Sequence, residues 1–98
     1  MDLDQLTAAM HDFVRRKGWY DPDSPHPQTS KNIAISLSIE AAEVLEQFQW
    51  GETADKAELA GELADVLLYL LQLASLNDID LAQAVLDKLN INEGREWE

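Results

Sequence analysis

Two pairs of carboxylates are the residues of this sequence whose type and spacing could do chemistry. Glu40 and Glu43 form the first pair, and Glu62 and Asp65 form the second. Because residues three apart share one face of a helix, two packed helices would bring all four carboxylates together. Both pairs lie in apolar runs, where uncompensated carboxylates repel one another and lose their hydration. A divalent cation such as Mg²⁺ or Mn²⁺ takes carboxylate oxygens and relieves both costs.

The simpler interpretation of Asp65 is a buried carboxylate that pairs with a lysine or an arginine. The chain has only 7 basic residues against 19 acidic ones, and Lys56 is the one base in the predicted helix that carries Asp65. This shortage of bases favours a metal over ion pairs.

Length, charge and composition limit the class of protein. The chain has 98 residues and a net charge of −12, so we expect a single domain over 1–98 and no binding to nucleic-acid polymers or anionic membranes. It has no cysteine, which excludes disulfides and thiolate metal sites. The N-terminus does not look like a signal peptide, and the longest apolar run, 66–71, is too short to span a bilayer. We therefore expect a soluble cytoplasmic protein.

Hydrophobic periodicity and capping signals predict an all-α fold of four helices in a small bundle. Asp55 and Asp80 begin box-like capping sequences, and glycines follow the predicted ends of the other helices. The expected helices are Leu3–Lys17, Ser30–Trp50, Lys56–Leu76 and Leu81–Glu93.

Two helices carry apolar surface that needs a neighbour. The second helix is apolar on more than one side, because Ile35 and Ile39 widen the stripe that includes Ile33. In so short a chain this predicts burial against another subunit. On the fourth helix, four residues are expected to face inward: Leu81, Ala84, Val85 and Leu89.

The segment 19–30 holds all three prolines and is expected to be a long, functional loop. Trp19 at its start either packs or offers a stacking surface to a flat ligand, and His26 is either solvated or reaches a ligand. His11, in the middle of the first helix, is expected at the surface or against a partner. The basic run 15–17 either complements the dipole of the first helix or contacts phosphate.

Five stretches, in order, resemble a known family, the all-α nucleoside triphosphate pyrophosphohydrolases of the MazG-like and dCTP pyrophosphatase group. The family pattern is ExxE on one helix and ExxD on the next. Ile39 stands where many members carry an additional acid, and 94–98 lacks the basic ending common in the family. The matching stretches are Lys31-Asn32, Glu40 with Glu43, Phe48-Gln49-Trp50, the run 62–70, and Lys88 with Asn92.

The resemblance implies hydrolysis of a (deoxy)nucleoside triphosphate at its α-phosphorus, which yields the monophosphate and pyrophosphate. It implies Mg²⁺, with Mn²⁺ as a substitute, held by Glu40, Glu43, Glu62 and Asp65. Glu43 and Glu46 are both candidates for the general base. The implied substrate-binding residues are Lys31, Lys88 and Arg95 for phosphates, Trp19 and Trp50 for stacking on the base, and Asn92 for a hydrogen bond to it.

Deoxynucleotides, dCTP first, are the implied substrates, and a homo-oligomer, dimer or tetramer, is the implied assembly. An alternative of another class is a helical oligomer that binds Mg²⁺ or nucleotide without turnover and acts as a regulator or assembly module. Product formation distinguishes the two. A metal-storage bundle is disfavoured, because neither His11 nor His26 stands at helical spacing from a glutamate that would complete such a site.

Overall fold

The computed structural model describes residues 1–95, so the end of the tail, 96–98, lies outside the described residues. Within 1–95 the secondary structure is helical, with no strand, and the prediction of an all-α fold is confirmed. The four helices are α1 (Leu3–Arg16), α2 (Ser30–Glu46), α3 (Lys56–Leu76) and α4 (Leu81–Glu93).

Each helix begins at a residue whose side chain accepts a hydrogen bond from a backbone N–H of the first turn. These N-cap residues are Asp2, Thr29, Asp55 and Asp80. Such caps typically contribute about 1 kcal/mol each. The starts predicted from Asp55 and Asp80 are therefore confirmed, and their cause is visible in the sequence.

The end of α2 differs from the prediction. The helix ends at Glu46 rather than near Trp50. The amides of Gln47, Phe48 and Gln49 then bond to the carbonyl three residues earlier, at 3.2, 3.0 and 3.1 Å. Bonds of this spacing tighten the chain into turns. Trp50 is 92% exposed, so packing does not extend the helix to it.

The hydrogen bonds and close contacts between α2 and α3 show that the two helices run antiparallel. The Asn77 side chain, just after α3, donates to the Ser30 hydroxyl at 3.0 Å, whereas Glu40 lies beside Asp65 farther along. α1 packs against α3 as well. We call the residues buried between these helices the closed core: Met10, Val14, Ile33, Leu71 and Ala74.

α4 has at most marginal contact with the other three helices. Its residues are exposed apart from the half-buried Leu81 and Asn92, so the expectation that Ala84, Val85 and Leu89 face inward is wrong within one chain. The reason is geometric, since α4 leaves the body formed by α1 to α3. We call eight of the large apolar side chains left exposed on α2, α3, α4 and the turn after α2 the open apolar surface: Ile39, Leu45, Trp50, Leu63, Val85, Leu86, Leu89 and Ile91.

By length and composition, α3 is the one helix in the described part of the chain that could cross a membrane, with a mean hydropathy of 1.5. The sequence prediction considered only the unbroken run 66–71 and did not identify this helix. A single such helix is weak evidence, because a helix that carries the core of a bundle passes the same test. α3 packs against both α1 and α2, and 17% of its apolar window is buried within this chain.

Candidate functional site

Three of the four predicted metal-binding carboxylates meet between α2 and α3. Glu40, Glu62 and Asp65 each offer one oxygen, and these three atoms lie within 4.8 Å of one another. The Oε2 atoms of Glu40 and Glu62 are buried and have no hydrogen-bond partner. A buried oxygen without a partner is costly, so this arrangement suits an added cation.

The pKa shifts in the carboxylate cluster also favour an added cation. Burial, followed by the adjacent Glu43, Asp65 and Glu62, raises the pKa of Glu40 from 4.5 to about 7. The pKa of Glu62 is also raised, first by its hydrogen bond with Glu43, then by burial and by the charges of Glu43 and Asp65. Apart from burial, every cause of these two shifts is another acid. The negative charge of the cluster is therefore not balanced by a lysine or an arginine.

Helical spacing explains how the sequence builds this cluster. On α3, Glu62, Asp65, Tyr69 and Gln72 follow one another at intervals of three, four and three residues, which places them on one face. Antiparallel packing of α2 then brings Glu40 to the face that carries Glu62 and Asp65.

A cavity of about 570 Å³ opens beside the carboxylate cluster. Glu40 and Asp65 line it together with aromatic and apolar side chains of α1, α3 and the loop after α1. Its size lies within the range typical of small-molecule sites. The cavity therefore has one acidic wall and one apolar wall. Among the lining residues are Phe13, Trp19, His26, Leu68, Tyr69 and Gln72.

Aromatic rings form part of the apolar wall. The Trp19 ring meets Phe13 edge-on at a centroid distance of 5.7 Å and meets His26 edge-on at 6.3 Å. Such perpendicular contacts hold aromatic rings in place. Trp19 thus packs, as one sequence interpretation expects, and it also lines the cavity, while stacking on a ligand stays a prediction.

A chain of hydrogen-bonded polar side chains reaches the cavity through Gln28 and Gln72, which line it. The Nδ1 and Nε2 atoms of His11 lie 2.6 Å from the Tyr20 hydroxyl and 2.7 Å from the Ser75 hydroxyl. Gln72 donates to the Tyr20 hydroxyl at 3.3 Å and to Oε1 of Gln28 at 2.8 Å. Burial lowers the pKa of His11, and the positive charge of Arg15 lowers it further, against the opposing effect of Asp12. His11, expected at the surface or against a partner, is half-buried and bonds to side chains of its own chain.

The other predicted site residues are spread more widely. Glu43 lies within hydrogen-bonding reach of Glu40 and Glu62, whereas Glu46 is exposed and lies outside the cluster of three carboxylates. Of the predicted substrate-binding residues, Trp19 lines the cavity and five others do not: Lys31, Trp50, Lys88, Asn92 and Arg95. Asn92 is half-buried, and its Oδ1 has no hydrogen-bond partner. The roles of these residues stay predictions.

Sequence reasoning missed Tyr69, Gln28 and Gln72 as site residues. Tyr69 and Gln72 could have been found, because they stand four and seven residues after Asp65 and so share its face of α3. Gln28 carries no such signal, since it lies in the loop and meets Gln72 across 44 positions of sequence.

Comparison with known proteins finds relatives over most of this chain. The chain is 33% identical over 103 residues to human dCTP pyrophosphatase 1, covering 95% of this chain and 58% of that protein. It is 40% identical over 81 residues to a dATP/dGTP diphosphohydrolase of Salmonella phage PMBT28, covering 83% of this chain and 25% of that protein. The chain thus spans less than two thirds of the length of these relatives.

A solved structure resembles the fold over most of both chains. The crystal structure of a pyrophosphatase from Archaeoglobus fulgidus matches with a TM-score of 0.77 and 37% sequence identity, covering 92% of this chain and 87% of that one. The MazG-like family model matches residues 35–97, which include both carboxylate pairs. With that match over more than half of its length, this chain belongs to the MazG-like family.

Proposed function

We propose that this chain hydrolyses nucleoside triphosphates, preferably deoxynucleotides such as dCTP, to the monophosphate and pyrophosphate. The observation that carries the proposal is the shared cavity, in which Glu40 and Asp65 line the same space as Trp19. A nucleotide has a flat base and a charged phosphate chain, and this cavity offers an aromatic wall for the first and an acidic cluster for the second. The names of the relatives, dCTP pyrophosphatase and dATP/dGTP diphosphohydrolase, support the reaction and the deoxyribose preference.

The carboxylate cluster supports a requirement for Mg²⁺. Its donors are all oxygens, which hard cations prefer, and two of them are buried without a partner. Glu40, Glu62 and Asp65 would hold the ion, with Glu43 beside them, and Mn²⁺ would be a functional substitute. When bound, the ion neutralises charge on the phosphate oxygens and lowers the pKa of nearby water.

The chain's own residues would supply the rest of the chemistry. Glu43 is better placed than Glu46 to act as general base, because it adjoins the cluster of three carboxylates whereas Glu46 is exposed. The Glu43 carboxylate would take a proton from water as the water oxygen attacks the α-phosphorus. The bond from that phosphorus to the bridging oxygen breaks, and pyrophosphate leaves. Trp19 would stack against the base, since stacking on an aromatic ring stabilises any base by roughly 1–3 kcal/mol.

We also propose that the working form is a homo-oligomer, a dimer or a tetramer. The open apolar surface spreads over three helices, and a second copy would cover it. Assembly would bring Trp50, Lys88 and Asn92, which do not line this chain's cavity, toward the site of another copy. Light scattering tests this directly, and the variant Leu89→Glu should lower the measured mass. A well-folded monomer at all concentrations would refute the proposal.

The cytoplasm, where free deoxynucleotides are used, is the compartment that this activity suggests.

The function is tested by mixing the purified chain with Mg²⁺ and a panel of ribo- and deoxynucleoside triphosphates and resolving the products. We expect monophosphate and pyrophosphate, fastest from deoxynucleotides. Diphosphate and phosphate would show that the cleavage position is wrong. Mg²⁺-dependent nucleotide binding without product would instead establish a non-catalytic binding module.

A further inference from the structure

Gln72 is a buried amide in the wall of the substrate cavity. It is 2% exposed, and no other polar or charged residue of 1–95 is as deeply buried. It stands two turns after Asp65 on the same face of α3, and both residues line the cavity. Because a buried amide needs partners, the direction of each of its hydrogen bonds can be worked out.

The loop fixes the orientation of Gln28 first. The backbone carbonyl oxygen of His26 can only accept, and it lies 2.7 Å from Nε2 of Gln28. The Oε1 atom of Gln28 is thereby turned toward Gln72, which donates to it from Nε2 at 2.8 Å. The amide of Gln72 consequently points its nitrogen, and not its oxygen, into the network.

The Tyr20 hydroxyl oxygen accepts a hydrogen bond from the second N–H of Gln72. The Tyr20 hydroxyl also lies 2.6 Å from Nδ1 of His11, whose Nε2 lies 2.7 Å from the Ser75 hydroxyl. A phenol oxygen has two lone pairs, so in either tautomer of His11 it can accept the hydrogen bond that Gln72 donates at 3.3 Å.

Both N–H groups of Gln72 are thus used, whereas its Oε1 receives no hydrogen bond from any residue of 1–95. Gln72 lines the cavity, and Oε1 is the one polar atom of its side chain that the described residues leave for a ligand there. We propose that Oε1 of Gln72 selects the base by accepting a hydrogen bond from the exocyclic amino group of cytosine or adenine.

This selection rests on the proposed function, because it requires a nucleotide in the cavity, and it adds a rule that stacking on Trp19 does not provide. Uracil, thymine and hypoxanthine carry a carbonyl oxygen where cytosine and adenine carry the amino group. A carbonyl oxygen placed against Oε1 of Gln72 leaves two acceptors facing each other without a proton, which disfavours those bases.

The test compares substrates that differ at this position: dCTP with dUTP, and dATP with deoxyinosine triphosphate. We expect the intact chain to prefer the amino base of each pair in kcat/KM, and Gln72→Met to lower that preference by about tenfold, the worth of one hydrogen bond. An unchanged ratio in the folded variant would overturn the proposal, as would an intact chain without the preference. Gln83→Met, on the exposed surface of α4, is the matched control and should leave all four rates unchanged.

A second variant tests the selection if Gln72→Met does not fold. Gln28→Met removes the acceptor for Nε2 of Gln72 and lets the Gln72 amide rotate. The preference for dCTP over dUTP should fall in this variant. An unchanged preference would contradict the selection.

Failure of the reaction and failure of the selection are distinguishable. If the intact chain releases no pyrophosphate from any triphosphate, the proposed hydrolysis is wrong. The selection is then measured by calorimetry with dCMP and dUMP. Tighter binding of dCMP that Gln72→Met abolishes supports it, and equal binding of the two monophosphates overturns it.

Discussion

The closed core and the open apolar surface have similar residue types but opposite environments. Ile33 and Ile39 lie on the same helix, six positions apart, and are 2% and 55% exposed. The first is covered by this chain's own helices, and the second is left bare. A single chain therefore completes the hydrophobic core beside the aromatic wall of the cavity but leaves the remaining apolar surface exposed. The carboxylate cluster lies along the α2–α3 contact, where Ile33 and Ile39 also stand.

The largest effect is expected at the carboxylate cluster itself. Asp65→Asn should lower turnover by at least about 100-fold, because even residues that only support metal ligands typically cost 10- to 100-fold. Rates at saturating Mg²⁺ measure this. Glu58→Gln, an exposed position on the same helix, is the control. Full turnover by Asp65→Asn would remove that residue from the metal site.

The contrast between core and surface is tested by one substitution at two sites. Ile33→Ala should cost about 2–5 kcal/mol in the free energy of unfolding at every protein concentration, since it leaves a cavity in the closed core. Ile39→Ala should cost little in dilute solution and more at high concentration, where a second copy covers it. Urea denaturation over a 100-fold range of concentration separates the two. Equal, concentration-independent losses would abolish the distinction between core and open surface.

A pH-dependent effect should follow from Glu40, whose pKa is raised to about 7 by burial and by its acidic neighbours. Between pH 4.5 and about pH 7, Glu40 keeps its proton in the folded, metal-free chain but loses it in the unfolded chain. The free energy of unfolding should therefore fall as pH rises through this window. Mg²⁺ binds the deprotonated cluster, so its stabilising effect should grow over the same range.

Thermal denaturation between pH 5 and 8, with chelator or with Mg²⁺, measures both trends. Glu40→Gln should flatten the metal-free trend. A metal-free chain that becomes more stable with rising pH, and whose trend Glu40→Gln leaves unchanged, would contradict the raised pKa.

The smallest effect should come from His11, whose pKa is lowered by burial and by Arg15. Here the unfolded chain binds the proton more readily, so stability should fall as pH drops below about 6.5, opposite in sign to the effect of Glu40. Measuring stability against pH in the Glu40→Gln variant separates the effect of His11 from that of Glu40. Adding His11→Gln should reduce the acid-side loss, and an unchanged slope would show that His11 titrates normally.

The helices and the acidic pairs could be predicted because their causes are local. An aspartate at the start of a helix caps it through a residue three positions on, and Glu62 meets Asp65 on one face by helical spacing alone. The network around Gln72 could not be predicted in the same way. Its partners, Tyr20 and Gln28, lie 52 and 44 positions away, and a glutamine within a leucine-rich run is as consistent with an exposed position as with a buried one.

The wrong prediction that residues of α4 face inward has a different physical cause. The periodicity of Val85 and Leu89 correctly shows that one side of the helix is apolar, but periodicity does not say which surface covers that side. The same limit applies to Trp50, whose motif was predicted within α2 and whose side chain lies beyond the helix in solvent.

The connection between α2 and α3 has a consequence for how such proteins diversify. Residues 47–55 are mostly exposed, whereas the spacing of Glu40, Glu62 and Asp65 is set by helix faces and antiparallel alignment. Insertions or deletions between Trp50 and the helix cap Asp55 would lengthen or shorten an exposed turn without moving the three carboxylates. The length of this turn can therefore differ between related proteins while the carboxylate cluster keeps its geometry, and the turn is a suitable position for inserting a tag or a second module.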